Sequence, residues 1–359
     1  PEFTQMDLEM SFVDVDDILE MVEGYIHRLY KEVLDLDIPT PITRLTYDDA
    51  MNRFGSDKPD TRFGMEIIDL SDLVKDCGFS VFTSAVAAGG SVRAIVAKDA
   101  VKTLTRKEID KLTEAAKGIG AKGLAFIRYV EETPTCSFGK FMTPEEMNAI
   151  LERLDCRQGD VALIVADKNK VTLPVLGALR NMLGKQLNLI DKSKYNFLWI
   201  TQFPFFEWDE DLGEWVAMHH PFTMPMEECL EYLDTDPGKV KAKAYDLVLN
   251  GVELLSGSIR ISDYKLQDKM FTSLGLTEEE IEAKFGFLVD AYKYGAPPHG
   301  GVGIGLDRLV MTMIGADSLR DVIAFPKVQN ASELMSGCPS PVDDKALKDL
   351  SIKLALEEK

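Results

Sequence analysis

Residues 244–261 read AYDLVLNGVELLSGSIRI. Two apolar runs meet at Asn250-Gly251, the dipeptide that most strongly signals a tight hairpin, because both residues tolerate the positive φ of a type I′ turn. With those two as the loop, Leu249 pairs with Val252, Val248 with Glu253 and Asp246 with Leu255. Asp246 then lies diagonally across from Glu253 on one face, ~7–8 Å away, within reach of a shared ion. Two oxygen donors on a rigid hairpin suit magnesium, which keeps most of its waters and bridges phosphate oxygens. Arg260 lies an odd number of residues beyond Glu253, on the opposite face of a regular strand. A bulge within Ser256-Gly257-Ser258 would restore a common face, since glycine inside a strand often marks one. Arg260 would then present a fork matched to a carboxylate. Unrelated surface carboxylates and an ordinary surface arginine are the alternatives that the hairpin alone leaves open.

Downstream, GVGIGLDRLV (301–310) is a glycine-rich strand running straight into a helix. Gly303 and Gly305 share a strand face, and two missing side chains leave room for a flat ring or a ligand that hugs the backbone. Asp307 is placed to cap the helix, with Arg308 projecting from its start. Close packing is the competing explanation of the glycines. Upstream, His219-His220-Pro221 holds half of the four histidines in the chain. Pro221 forces His220 into extended backbone, so the two rings point to opposite sides and one of them faces any pocket. A zinc site would need further ligands, and no second His or Cys pair is near in sequence.

The chain starts PEFTQMDLEMSF, without a methionine. Gln5, Asp7 and Glu9 alternate with Met6, Leu8 and Met10, the period of a strand with one apolar face. Such a start suggests a chain cut in mid-domain, and solvent exposure is the plain reading of its polar face. Asp14 can cap a helix carrying Ile18, Val22, Ile26, Leu29 and Val33 at helical spacing. Residues 54–64, FGSDKPDTRFG, are rich in turn formers and make a plausible hinge. From 66 to 189 the texture becomes α/β: Thr105 and Glu108 at capping-box spacing, a strand over 124–130, a helix opening at Thr143-Pro144, and the buried-type strand VALIVAD after Asp160. This stretch shows no phosphate loop and no acid–base pair. Strands return after 190, followed by a helix over 278–284 and an amphipathic helix in the tail from 343 to 359.

The chain has 359 residues, 45% hydrophobic and 28% charged, values of a soluble globular protein long enough for two domains and a sizeable core. Forty basic against sixty acidic residues give a net charge of −20, which disfavours indiscriminate nucleic-acid binding through bulk charge but permits a local basic track. No run approaches the ~20 apolar residues of a membrane span. The five cysteines are scattered, with no CxxC pair, against a disulfide framework or zinc knuckle and in keeping with a reducing cytoplasm.

Together these segments resemble the bacterial-type aspartyl-tRNA synthetases, a family of class II aminoacyl-tRNA synthetases. PEFTQMDLEMSF, RFGSDKPDTRF, AMHHPFT, AYDLVLNGVELLSGSIRI, KFGFLVDAYKYGAPPHGGVGIGLDRL and RDVIAFPK follow the family order through nearly the whole chain. The resemblance implies an α+β fold, an antiparallel active-site sheet flanked by helices with an inserted α/β domain. Residues 1–65 would be the first part of the catalytic domain, from the middle of class motif two. Residues 66–189 would be the insertion and 190–359 the second catalytic part. Phe3 would stack on adenine, and Gly305, Leu306, Asp307 and Arg308 would bind ATP with Glu253. Asp246 and Glu253 would hold Mg2+, and Arg308, Glu253 and Asp246 would form the catalytic set. Arg260, His219, His220 and Asp7 would bind L-aspartate.

The implied reaction is activation of L-aspartate by ATP to aspartyl-adenylate, then transfer to tRNA(Asp), in the cytoplasm. The full-length family forms homodimers and has no membrane partner; the state of this chain stays open. Two other readings also stay open: relaxed charging of asparagine tRNA, and a non-catalytic module derived from a synthetase. Several family features have no counterpart in the 359 residues: the OB-fold anticodon domain, class motif one, the pocket segment with its Lys, and the motif-two Arg. The 359 residues alone are therefore expected to be inactive or nearly so. Leu255-Ser256 also stands where many relatives have Gly-Gly.

Overall fold

The computed structural model describes residues 2–130 and 133–355. They form two compact units, residues 7–303, and residues 2–6 with 304–355.

The larger unit is built on two sheets. It begins at Asp7, within β1 (Gln5–Ser11), and continues into the helix Val15–Leu34. Asp14 caps that helix as expected, in a reciprocal capping box with Asp17. Ile18, Leu19, Val22, Ile26 and Tyr30 are buried while Val33 faces solvent, so the expected apolar stripe shifts at its C-terminal end. Buried Glu23 is satisfied by the indole N–H of Trp199 at 3.0 Å, as a buried carboxylate requires. β2 (Arg44–Thr46) leads into the helix Tyr47–Phe54.

The inserted layer holds β3 (Ile68–Asp69), β4 (Ser91–Ala97), β5 (Ala125–Arg128), β6 (Thr135–Cys136) and β7 (Val161–Asp167). Their spatial order is β3-β4-β7-β5-β6. Every pairing is antiparallel, so the layer is mixed helix and sheet without the parallel strands of a doubly wound domain. Helices Arg106–Ile119 and Asn169–Gln186 pack on one face through Ile109, Leu112, Leu176 and Leu179, all buried. Thr143 caps Pro144–Arg153 in a capping box with Glu146.

After β8 (Phe197–Thr201) come the ribbon β9 (Phe206–Asp209) and β10 (Glu214–Ala217), then β11 (Ala244–Leu249), β12 (Val252–Ile259) and β13 (His299–Gly305). The main sheet has the order β1-β13-β12-β11-β8-β2. The helix expected over 278–284 continues to Lys293.

Residues 54–64 are clamped and do not form the expected hinge. The guanidinium of Arg180 donates to the carbonyls of Phe63, Gly64 and Met65 at 2.8–3.2 Å and stacks over the rings of Phe54 and Phe63. Gly55, with φ +68°, ends the helix Tyr47–Phe54 against the helix Asn169–Gln186. A Cβ on Gly55 would lie 2.1 Å from the Leu173 carbonyl, and one on Gly177 would lie 2.6 Å from the Gly55 carbonyl. Side chains are therefore shut out of this seam.

The smaller unit centres on the helix Leu306–Ile314. The tail forms a helix only over Asp344–Asp349, shorter than expected, and residues 356–359 lie outside the described residues. None of the described helices is long and apolar enough to cross a membrane.

Candidate active site

The β11–β12 hairpin forms as the sequence predicts, with positive φ at both Asn250 (53°) and Gly251 (89°). Asn250 also locks the turn, accepting from the Asn196 N–H and donating to the Lys194 carbonyl. Leu249 pairs with Val252 and Val248 with Glu253. The register then shifts: Leu247 faces Leu255 and Asp246 faces Ser256. The expected pairing of Asp246 with Leu255 is thus corrected by one residue. The bulge sits at Leu254, ahead of the Ser256-Gly257-Ser258 run. Gly257 has a different role, because a Cβ there would meet the Gly301 carbonyl at 2.2 Å and the Tyr245 ring at 2.6 Å. It lets β13 approach, and the Tyr245 hydroxyl donates to that carbonyl at 3.0 Å.

One extra residue flips the parity beyond it. Asp246, Glu253, Ser256, Ser258 and Arg260 consequently share one face, the arrangement predicted on a different bulge. Asp246 is 5% exposed, hydrogen-bonded by Ser256, and its Oδ1 has no partner. Burial, with the nearby charges of Glu253 and Asp57, pushes its pKa up to about 7 against the Ser256 hydrogen bond. Lys58 Nζ lies 3.7 Å from Glu253 Oε2 and from Asp57 Oδ1. The face thus gathers acids around an orphaned buried carboxylate oxygen. A magnesium ion fits that donor set, since it needs few protein oxygens. No group of three or more His, Cys, Asp or Glu among the described residues makes a closed cage.

Arg260 is reached from three sides. Residues 222–224 run beside β12 and its continuation: the Met224 N–H donates to the Ile259 carbonyl at 2.7 Å and the Ile261 N–H to the Phe222 carbonyl at 2.8 Å. That pairing brings His220 over the guanidinium, with Nε2 3.0 Å from Arg260 Nη1. A guanidinium only donates, so Nε2 accepts, while the Phe222 N–H is directed at Nδ1 at 3.3 Å. Nη1 also donates to Ser258 Oγ at 2.6 Å. Nε and Nη2 donate to Glu9 at 3.2 and 3.3 Å. Burial, then the charge of Arg260, drives the His220 pKa down to about 4.

His219 turns elsewhere, its ring edge-on to Phe203 at 4.8 Å, with its pKa lowered by burial against the pull of Glu253 and Asp57. The two histidines diverge as expected, and His220 is the one that touches Arg260. Asp7 is exposed on β1.

In the smaller unit Phe3 is 75% exposed, an open aromatic face. The Thr4 N–H donates to Asp307 Oδ2 at 2.8 Å, and the Leu306 N–H donates to the Thr4 carbonyl at 3.0 Å. These bonds fasten the segment bearing Phe3 to the start of the helix that carries exposed Arg308. Asp307 is therefore a strap, where the sequence predicted a cap; the N-cap is Gly305, with no side-chain hydrogen bond. A cavity of about 540 Å³, lined by Ile38, Arg53, Arg62, Glu66 and Tyr195 among others, contains none of the predicted site residues.

The family model described as tRNA synthetases class II (D, K and N) matches residues 1–329. The chain belongs to that family. It is 57% identical over 358 residues to an aspartate–tRNA ligase of Ruminiclostridium cellulolyticum, covering 99% of this chain and 60% of that protein. It is 55% identical to an aspartate–tRNA(Asp/Asn) ligase of Lachnoclostridium phytofermentans, covering 99% and 59%. A solved aspartyl-tRNA synthetase of Entamoeba histolytica aligns at 17% identity with a TM-score of 0.41, over 91% of this chain and 44% of that one. The chain thus spans about 60% of the length of the curated relatives it matches.

Within this synthetase chain, sequence reasoning missed Glu9, Ser258 and Ser256. Strand alternation places Glu9 on a polar face and carries no sign of a partner 251 positions away.

Proposed function

We propose that this chain is the C-terminal catalytic part of an aspartate–tRNA ligase, activating L-aspartate with ATP and passing it to tRNA(Asp). The observation that carries the reading is Arg260: a half-buried guanidinium, fixed by Ser258 and His220, on the same strand face as Asp246 and Glu253. A planar fork in a partly desolvated pocket selects a carboxylate.

In this reading Arg260 grips the side-chain carboxylate of aspartate. His220, held neutral, orients the guanidinium without adding charge, and His219 lines the pocket. Asp7 receives the substrate ammonium. Phe3 stacks on adenine while Gly305, Leu306, Asp307, Arg308 and Glu253 hold the rest of ATP. Asp246 and Glu253 would hold Mg2+, which when bound neutralises phosphate charge. An α-carboxylate oxygen of aspartate attacks the α-phosphorus, the bond to pyrophosphate breaks, and aspartyl-adenylate forms. The terminal ribose hydroxyl of tRNA then attacks the acyl carbon and AMP leaves. No group of the protein becomes covalently attached, so the rate gain comes from alignment and from charge placed where charge develops. The cytoplasm is the proposed compartment.

Relatives of similar identity carry both the strict and the Asp/Asn ligase names. Charging of asparagine tRNA is therefore the second reading, decided by aminoacylation of the two tRNAs side by side.

The test is aspartate-dependent ATP–pyrophosphate exchange by the gene product that contains this chain. Arg260→Ala should lower kcat/KM for aspartate by roughly 10²–10³-fold, the loss of a charge-assisted bidentate pair. Arg260→Lys, which keeps the charge, should recover only a small part. Exchange driven equally by other amino acids, or indifferent to Arg260, would end this reading.

A further inference from the structure

The guanidinium of Arg260 has five N–H groups. The two on Nη1 go to Ser258 Oγ at 2.6 Å and His220 Nε2 at 3.0 Å. The remaining edge, Nε with Nη2, is the one place where a carboxylate can dock with two bonds. Glu9 occupies it, Oε1 on Nε at 3.2 Å and Oε2 on Nη2 at 3.3 Å. These contacts are long for charge-assisted bonds, which run at ~2.7–2.9 Å. The Glu9 side chain is 48% exposed against 22% for Arg260, so it is free to swing into solvent while the arginine stays. Its carboxylate rests against Gly301, where a Cβ would lie 2.3 Å from Glu9 Oε2. Backbone without a side chain makes room for Glu9 in this pose.

We propose that Glu9 is a built-in stand-in for the substrate's side-chain carboxylate, holding the Nε/Nη2 edge of Arg260 in the free protein and leaving it when the amino acid binds. This deepens the aspartate-activating reading and rests on it. The stand-in keeps a half-buried cation paired between turnovers, which an empty pocket would not. It also raises the entry requirement. A ligand ending in a carboxylate replaces charge with charge on that edge, whereas one ending in an amide leaves the Arg260–Glu9 pair unmatched. Affinity for aspartate is reduced by the fraction of molecules in which Glu9 holds the edge.

The test is calorimetric titration of L-aspartate into the gene product that contains this chain, as wild type, Glu9→Gln, Glu9→Ala and Glu32→Gln. Removing the competitor should tighten aspartate binding by about 3–10-fold in both Glu9 variants. Glu32→Gln, which deletes the same charge from an exposed helix position, should leave the dissociation constant unchanged. A structure with aspartate bound should show Glu9 off the guanidinium and the substrate carboxylate on Nε and Nη2. Weaker or equal binding by the Glu9 variants, an equal gain in Glu32→Gln, or Glu9 still on Arg260 beside bound aspartate would overturn the stand-in and leave the functional reading intact. Aspartate binding that is absent, or unchanged in Arg260→Ala, would overturn both.

Discussion

Asp160 and Asp246 are both buried aspartates, 3% and 5% exposed, one at the entry to the inserted sheet and one in the main sheet. Asp160 is surrounded by donors: Lys98 Nζ at 3.1 Å and the backbone N–H groups of Asp99 and Arg157 at 2.9 and 3.0 Å. Asp246 has Ser256, two acidic neighbours and an oxygen without a donor. The inserted layer treats its polar groups as structure. Arg180 under three carbonyls and Thr172 on the Asp167 carbonyl follow the same habit. The hairpin face leaves its own carboxylate under-satisfied, which costs folding free energy and creates an appetite for a cation. Incomplete satisfaction marks where chemistry is to be sought.

The comparison breaks first at Asp160. Asp160→Ala should cost roughly 2–4 kcal/mol in urea unfolding, since it strands two backbone donors and takes one partner from Lys98, which keeps Asp155. A cost below about 1 kcal/mol would show that the network is replaceable by water.

Asp246→Asn should act with the opposite sign. A carboxyl whose folded pKa is about 7, against ~3.9 when unfolded, binds its proton more tightly in the folded state. Its contribution to stability is full below about pH 4, is lost as pH rises towards 7, and is flat above. Unfolding with chelator at pH 8 should therefore find Asp246→Asn about 1–3 kcal/mol more stable than wild type, and the gain should shrink by pH 4.5. Added magnesium should stabilise the wild type and not the variant. A variant less stable than wild type at pH 8 would remove the contrast with Asp160.

The smallest effect sharpens the structural side. Thr143→Ala deletes half of a capping box and should cost about 1 kcal/mol by thermal unfolding, with the ATP–pyrophosphate exchange proposed for the gene product that contains this chain unchanged at 25 °C.

Much of this was legible in residue order because it is local. The Asn250-Gly251 turn, the caps at Asp14 and Thr143, and the existence of a bulge before Arg260 follow from neighbours within a few positions. The bulge's place was not legible, because Leu254 and Gly257 satisfy the same parity and only the approach of β13 separates them. Glu9 on Arg260, Thr4 on Asp307 and Arg180 over Phe63 join residues 251, 303 and 117 positions apart. No periodicity encodes such pairings. The antiparallel inserted sheet was hidden for the same reason, since alternating strands and helices read alike whichever way the strands run.

The seam between Gly55 and Gly177 has a mechanical consequence. One methyl group at either position would wedge the helices Tyr47–Phe54 and Asn169–Gln186 apart, and the first of these follows directly on edge strand β2. A joint with no slack transmits displacement where a hinge would absorb it. A push on the outer layer would thus be felt at the margin of the main sheet, and stiffness there is as much a property of two hydrogens as of any core.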